Sequence, residues 1–431
     1  MTLQIALFFA LWVGMAVGRP LVSKVDYRIY HKIDDLMEEV KAVVRDHPGS
    51  MNIEEKTRSQ GDYSAPLTVL SSKQAGLSTP DDDKMRVLMS FGEHGRELIT
   101  TEVGLSFIKA MSDKSEIRKV FGPGDRSDEL VDLMDRISFK IFPNENSNGR
   151  NLVEGGKLCE RRNGRGVDPN RNWDVDFGVK EPDYDPKEEN PGAFAFSEPE
   201  VQMLHEVAKD FEPHVWVNVH SGMEAIFMPY DHQGFMPNGT DADKQFEMIK
   251  TLKNDMCESC AIGSGGKTVG YLAHGTATDY MYTRLHVPLA FTWEIYGDMN
   301  ALHEDCFKMF NPTTKEEFDD VVDQWTKTLF RLLELLPSHP ALQQFAQSNA
   351  NVSTVAETNA DQQQESAIAH TTQQASPIRV IGPPISQELH PVPKDGYWLY
   401  GTAAILTTII ITFALLRRRK NRTSQQRWRD Q

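Results

Sequence analysis

The chain has 431 residues, 39% apolar and 25% charged, so it can bury a sizeable core and does not have the composition of a disordered protein. Its formal charge of -16, from 46 Lys and Arg against 62 Asp and Glu, argues against nucleic acid as a partner. The one strongly basic run lies at the very end.

Residues 3–17, LQIALFFALWVGMAV, are apolar and followed by small residues, which predicts a secretory signal peptide over 1–18. Ile33, Leu36, Met37, Val40, Val43 and Val44 have helical spacing that ends at His47-Pro48-Gly49. MRVLMSF (85–91) reads as a strand that runs into the loop GEHGRE, and a helix is predicted over 98–112. Further strands are predicted at 137–142, 214–220 and 289–296, and further helices at 198–210, 241–258, 276–285 and 315–335. This alternation, from about residue 27 to 338, implies an α/β fold.

After Pro337-Ser338-His339-Pro340 the composition changes. Residues 341–396 are rich in Gln, Ala, Ser, Thr and Pro and predict a flexible stalk. YWLYGTAAILTTIIITFALL (397–416) carries no charge and has the roughly 20 residues a helix needs to cross a bilayer. Tyr397, Trp398 and Tyr400 would sit at the membrane interface, and the basic tail 417–431 begins with a cytoplasmic stop, RRRKNR. The expected layout is a catalytic domain over 19–340, a stalk, one transmembrane helix and a short tail. That describes a single-pass type I protein of the secretory pathway or cell surface.

Cys159, Cys257, Cys260 and Cys306 predict two disulfides in one of three pairings. Cys257-Glu258-Ser259-Cys260 has redox-motif spacing, but it sits where a helix passes into a loop, so a structural bond is expected. Asn238 and Asn351 begin glycosylation sequons.

Three stretches carry chemistry. In SFGEHGRELITTE (90–102), His94 and Glu97 lie three apart where a strand hands over to a helix, and could supply two of the three protein ligands of a catalytic zinc. The strand WVNVHSG (216–222) ends in His220, at the sheet rim where a third ligand belongs. AFTWEIYGD (290–298) places Glu294 inside an apolar run, where a carboxyl of raised pKa suits a general base. RRNGRGVDPNRNWD (161–174) concentrates Arg161, Arg162, Arg165 and Arg171 with Asn170 and Asn172, donors suited to a free carboxylate.

With HGRE (94–97), DPNRNW (168–173), HSG (220–222), Tyr271-Leu272-Ala273-His274-Gly275 and FTWE (291–294) in this order, the chain resembles the zinc metallocarboxypeptidases of the carboxypeptidase A type over about residues 27–338. The resemblance implies a mixed, mainly eight-stranded sheet between helices and one zinc ion per chain, held by His94, Glu97 and His220. It implies Glu294 as general base, Arg161 (rather than Arg162) polarising the scissile carbonyl, and Arg96, Asn170, Arg171 and Tyr271 binding substrate. Asp168 would orient the first zinc histidine. Peptide or protein C-termini are the implied substrates, and the chain is expected to act as a monomer.

Thr278-Asp279 replaces the family's side-chain-selecting residue, and Gly222 replaces a tyrosine. Asp279 beside the selecting position raises a preference for basic ends. The short interval between the predicted cleavage site and the first helix leaves no space for an activation prodomain. Two competing readings are an amidohydrolase of N-acyl amino acids of the aspartoacylase kind, and a non-catalytic, membrane-tethered peptide-binding protein.

Overall fold

The computed structural model describes residues 22–72, 84–302 and 304–346; the predicted signal peptide, most of the stalk, the apolar span and the basic tail lie outside them. Among the described residues no helix is long and apolar enough to cross a membrane.

In chain order the elements begin with α1 (Ile33–Asp46), β1 (Met51–Gln60), β2 (Tyr63–Ser72), β3 (Met85–Phe91), α2 (Leu98–Met111), α3 (Lys114–Phe121), α4 (Asp125–Met134), β4 (Ile137–Phe142) and α5 (Ser147–Glu154). They continue with α6 (Pro199–Phe211), β5 (Val215–His220), β6 (Met223–Met228), α7 (Thr240–Met256), β7 (Ala261–Ser264), α8 (Gly265–Val269) and α9 (Ala277–Thr283). Last come β8 (Leu289–Tyr296), α10 (Cys306–Phe310), α11 (Lys315–Leu335) and α12 (Gln343–Ala346).

The strands form one mixed eight-stranded sheet in the order β1-β2-β4-β3-β5-β8-β6-β7. Its centre, β4-β3-β5-β8, is parallel, whereas β1-β2, β2-β4 and β6-β8 pair antiparallel. Side chains of successive strand residues point to opposite faces, and both faces are packed. Val87, Met89 and Phe91 of β3, Val215, Val217 and Val219 of β5, and Phe291 and Trp293 of β8 join one core with α2, α7 and α11. Leu88, Trp216 and Ala290, one step out of phase, join a second core with α6 and α9. This is why the central strands read as continuous apolar runs.

The predicted strands and long helices are present to within a residue or two. The hairpin β1-β2 escaped the sequence pattern because β1, MNIEEKTRSQ, is largely polar and mostly solvent-facing. Its two strands meet at the two-residue turn Gly61-Asp62, with Gly61 at φ +60°. The cysteines pair as Cys159–Cys306 and Cys257–Cys260. The Cys257-x-x-Cys260 bridge closes the turn between α7 and β7, as a structural bond would.

Candidate metal centre and active-site pocket

The carboxyl ends of β3, β5 and β8 lie side by side, the edge of a parallel sheet where ligand sites form. β3 stops at Phe91 and the chain turns at Gly92, whose φ is +67°. A Cβ there would lie 2.5 Å from Asn144 Oδ1 and 2.7 Å from Thr101 Cγ2, so only glycine fits. The turn brings His94 back over the sheet edge, and Glu97 stands at the N-terminal end of α2. Glu97 caps no helical N–H. Its carboxylate faces inward, held by the backbone N–H of Ser221 at 3.1 Å.

Three donor groups meet at this edge. His94 Nδ1 lies 2.7 Å from Glu97 Oε1, His220 Nδ1 lies 3.1 Å from Glu97 Oε2, and the two Nδ1 atoms are 3.1 Å apart. All three residues are buried. Burial would raise the Glu97 carboxyl, but His94 and His220 outweigh it and hold the group well below the usual carboxylate range. On its outer side His94 contacts Asp168, Nε2 to Oδ1 at 3.2 Å.

Asp168, fully buried, organises the next layer. It accepts from Arg161 Nε at 2.8 Å and from the backbone N–H of Asn170 at 2.9 Å. Burial alone would raise its carboxyl; Arg161 and His94 more than offset this and keep it ionised. Arg161 reaches His94 Nδ1 at 3.2 Å and lines the pocket, whereas Arg162 turns away to Glu160. Both arginines fit the sequence pattern, with Arg161 favoured, and of the two Arg161 is the one that faces the pocket. Asn170 Oδ1 accepts from the Ala277 backbone N–H at 2.9 Å. Arg171 donates to the Asn170 carbonyl at 3.0 Å and to Glu189 at 2.9 Å.

An open pocket is lined by His94, His220, Arg161, Asn170, Arg171 and Tyr271, together with Phe227, Val269 and Thr292. Glu294 enters from β8, directly opposite His220 in the strand register, with one carboxyl oxygen unpartnered. Burial, reinforced by Glu97 and opposed by His220 and Arg161, pushes its carboxyl up to about 8. Of the expected site residues, Glu97 and Asp168 lie behind the pocket wall, and Arg96 is also outside the lining: it pairs with Glu188 at 2.7 Å and stacks on Phe310 at 4.1 Å.

The selecting position differs from expectation. Thr278 is buried and bonded to Thr292 and Trp216, and Asp279 accepts from the backbone N–H groups of Asp231 and His232 and from the His232 ring, so neither lines the pocket. The acid on the pocket wall is Asp231, against Gly265 and Gly266. A Cβ on Gly265 would lie 2.0 Å from Asp231 Oδ1, so that glycine makes room for the carboxylate. Burial first, and Asp279 second, push Asp231 up to about 7.

A model of the zinc carboxypeptidase family matches residues 36–326. The chain belongs to this family. Carboxypeptidase A1 of Bos taurus is 26% identical over 278 residues and that of Homo sapiens 25% over 279, each match covering 63% of both chains, so this chain spans under two thirds of those relatives' length. Among solved structures, carboxypeptidase A of Helicoverpa armigera superposes with a TM-score of 0.58 at 18% identity, covering 76% of each chain. Thrombin-activatable fibrinolysis inhibitor gives 0.58 at 18%, covering 71% of this chain and 74% of its own. These two likenesses establish the shared fold.

The family's metal fits the donors present. The two Nδ1 atoms, 3.1 Å apart and each within 3.1 Å of a Glu97 carboxyl oxygen, converge as donors around a shared cation would. Tetrahedral ligands at the 2.0–2.1 Å zinc distance are separated by about 3.3 Å, close to the spacings found. Glu93, His94 and His220 also offer ligand atoms within 4.8 Å of one another. Glu93, however, contacts His220 at Nε2, the ring nitrogen opposite the point of convergence. The set His94, Glu97 and His220 is therefore the better cage. Sequence reading missed Glu93 and Asp231: one stands beside a stronger motif, and the other lies just past β6, a strand the sequence pattern did not predict.

Proposed function

We propose that the chain is a zinc-dependent metallocarboxypeptidase that releases the last residue from peptides or proteins, with His94, Glu97 and His220 holding the metal. The observation that carries this reading is the shared pocket. Asn170 and Arg171, suited to a terminal carboxylate, open onto the same space as Glu294 and the two metal-donor histidines, His94 and His220, with Glu97 bonded just behind them.

Zinc bound there supplies Lewis acidity and eases deprotonation of water at neutral pH. Glu294, with a carboxyl poised near neutrality, takes the proton from the attacking water and returns it to the leaving amine. Arg161 donates to the scissile carbonyl oxygen as charge develops; a preorganised donor of this kind is worth about 3–4 kcal/mol. Asp168 holds both Arg161 and the His94 ring in place. Arg171 and Asn170 bind the terminal carboxylate, which restricts cleavage to the chain end, since an internal bond offers no charge there. Tyr271, at the pocket mouth, covers the bound residue, and Arg96 supports the substrate backbone from the rim.

Asp231 on the pocket wall supports a preference for terminal Lys or Arg, whose cation would hold its carboxyl ionised. The apolar segments at the two ends support delivery through the secretory pathway and tethering at a membrane.

The test is a library of peptides differing only in the last residue, presented to zinc-loaded protein and to Glu294→Gln. Release of the terminal residue by the wild type alone, absent for C-terminally amidated peptides, is expected. Equal turnover of amidated peptides would refute the terminal-carboxylate reading.

A further inference from the structure

Each of the two histidines at the metal centre has its outer nitrogen set against a carboxylate, and only one of these carboxylates belongs to the DPNRN segment. His94 Nε2 has Asp168. His220 Nε2 has Glu93, whose Oε2 lies 3.1 Å away. Glu93 is completely buried, and Asn218, two residues before His220 on β5, donates to that same Oε2 at 2.7 Å. The Asn146 side chain donates to the Glu93 carbonyl at 3.1 Å, fixing the backbone as well. The approach to His220 is oblique, yet Nε2 has no other acceptor among the described residues.

From this arrangement we infer that Glu93 is a positioning residue for the metal centre, acting through the His220 ring. A ring that coordinates through Nδ1 carries its proton on Nε2, and a buried N–H without an acceptor is costly. Glu93 supplies that acceptor. Its negative charge also makes the ring a stronger donor, and its contact limits rotation about the ring axis. Asn218 keeps the carboxylate from swinging to the inner side, where it would compete with Glu97. The centre is thus clamped from two sides, Asp168 behind one imidazole and Glu93 behind the other.

The inference rests on His220 being a metal ligand, and the experiment separates the two. Zinc affinity is measured by competition with a chromophoric chelator for wild type, Glu93→Gln, Glu93→Ala and Glu97→Gln, and the cobalt-substituted proteins are compared by visible absorption. Loss of an outer partner of a ligating histidine weakens metal binding by about 10–100-fold. Glu93→Ala is expected in that range, and Glu93→Gln, which keeps an acceptor oxygen but not the charge, between it and wild type, with a four-coordinate cobalt spectrum retained. Should Glu93→Ala fail to fold, Glu93→Gln decides alone, at least twofold weakening supporting the role. Affinity within twofold of wild type in the folded variants overturns it. So does complete loss of zinc in Glu93→Gln to match Glu97→Gln, which would make Glu93 a ligand itself. A wild type that binds no zinc removes the ligand reading and this inference with it.

Discussion

Replacing Glu294 with Gln should abolish turnover and, at alkaline pH, stabilise the fold. The Glu294 carboxyl is pushed from its usual 4.5 up to about 8, first by burial and then by Glu97, against the pull of His220 and Arg161. A carboxyl raised in the folded state binds its proton more tightly there than in the unfolded chain. Stability is therefore present in full at low pH and lost as pH rises from 4.5 through 8. At about 1.4 kcal/mol per pH unit that interval sets a ceiling of about 5 kcal/mol. Reorganisation and water entry at the pocket mouth reduce it, and on the order of 2 kcal/mol is expected. In a domain of this size that corresponds to a rise of about 4 °C in Tm. The assay is thermal unfolding at pH 5 and pH 9 in excess chelator, since a bound cation would offset the effect. Glu294→Gln should match wild type at pH 5 and exceed it at pH 9, while kcat with zinc falls by about 10²–10⁴-fold. A variant no more stable than wild type at pH 9, or one keeping a tenth of its kcat, would refute the reasoning.

Asp231→Asn should remove the advantage of C-terminal Lys and Arg over Leu, read as the ratio of kcat/KM values, while leaving hydrolysis of an apolar end within a few fold; an unchanged ratio would dismiss Asp231 as the selector. Cys159→Ser with Cys306→Ser opens a loop with a sequence separation of 147, for which chain entropy sets a ceiling of about 5 kcal/mol. Because the Cys159 carbonyl accepts from Arg96, this variant should lower Tm and raise KM together; a KM that stays fixed would detach the bridge from the site. His214 accepts from the backbone N–H of Arg86, and burial, followed by the Arg86 charge, lowers it to about 4. Its contribution to stability should therefore be lost as pH falls from 6.5 towards 4, and His214→Gln should flatten the unfolding midpoint across that window.

The centre of the molecule was legible because its strands are buried on both faces, so MRVLMSF, VWVNVH and LAFTWEIY are predominantly apolar on both sides. The long helices were legible from amphipathic spacing, and the structure shows Thr314 accepting from the Glu317 N–H at the start of α11. The sheet edges were not. β1 is mostly polar, and β7 is four residues long, too short for a period to register. At the site, His94, Glu97, His220 and Glu294 stood out because unusual residues ended or interrupted apolar runs. Asp231 did not, because its meaning depends on Gly265 and Gly266, more than thirty residues away, leaving room beside it. Asp279 misled for the matching reason: spacing brings it next to the selecting position, but its carboxylate turns into the backbone of Asp231 and His232.

The measurement that bears most directly on the central claim is anomalous scattering at the zinc edge from crystals of the zinc-loaded protein. One peak per chain is predicted, at 2.0–2.2 Å from Nδ1 of His94, Nδ1 of His220 and a carboxyl oxygen of Glu97. A peak between Glu93 and Nε2 of His220, or no peak at these residues in protein that carries zinc, would contradict it.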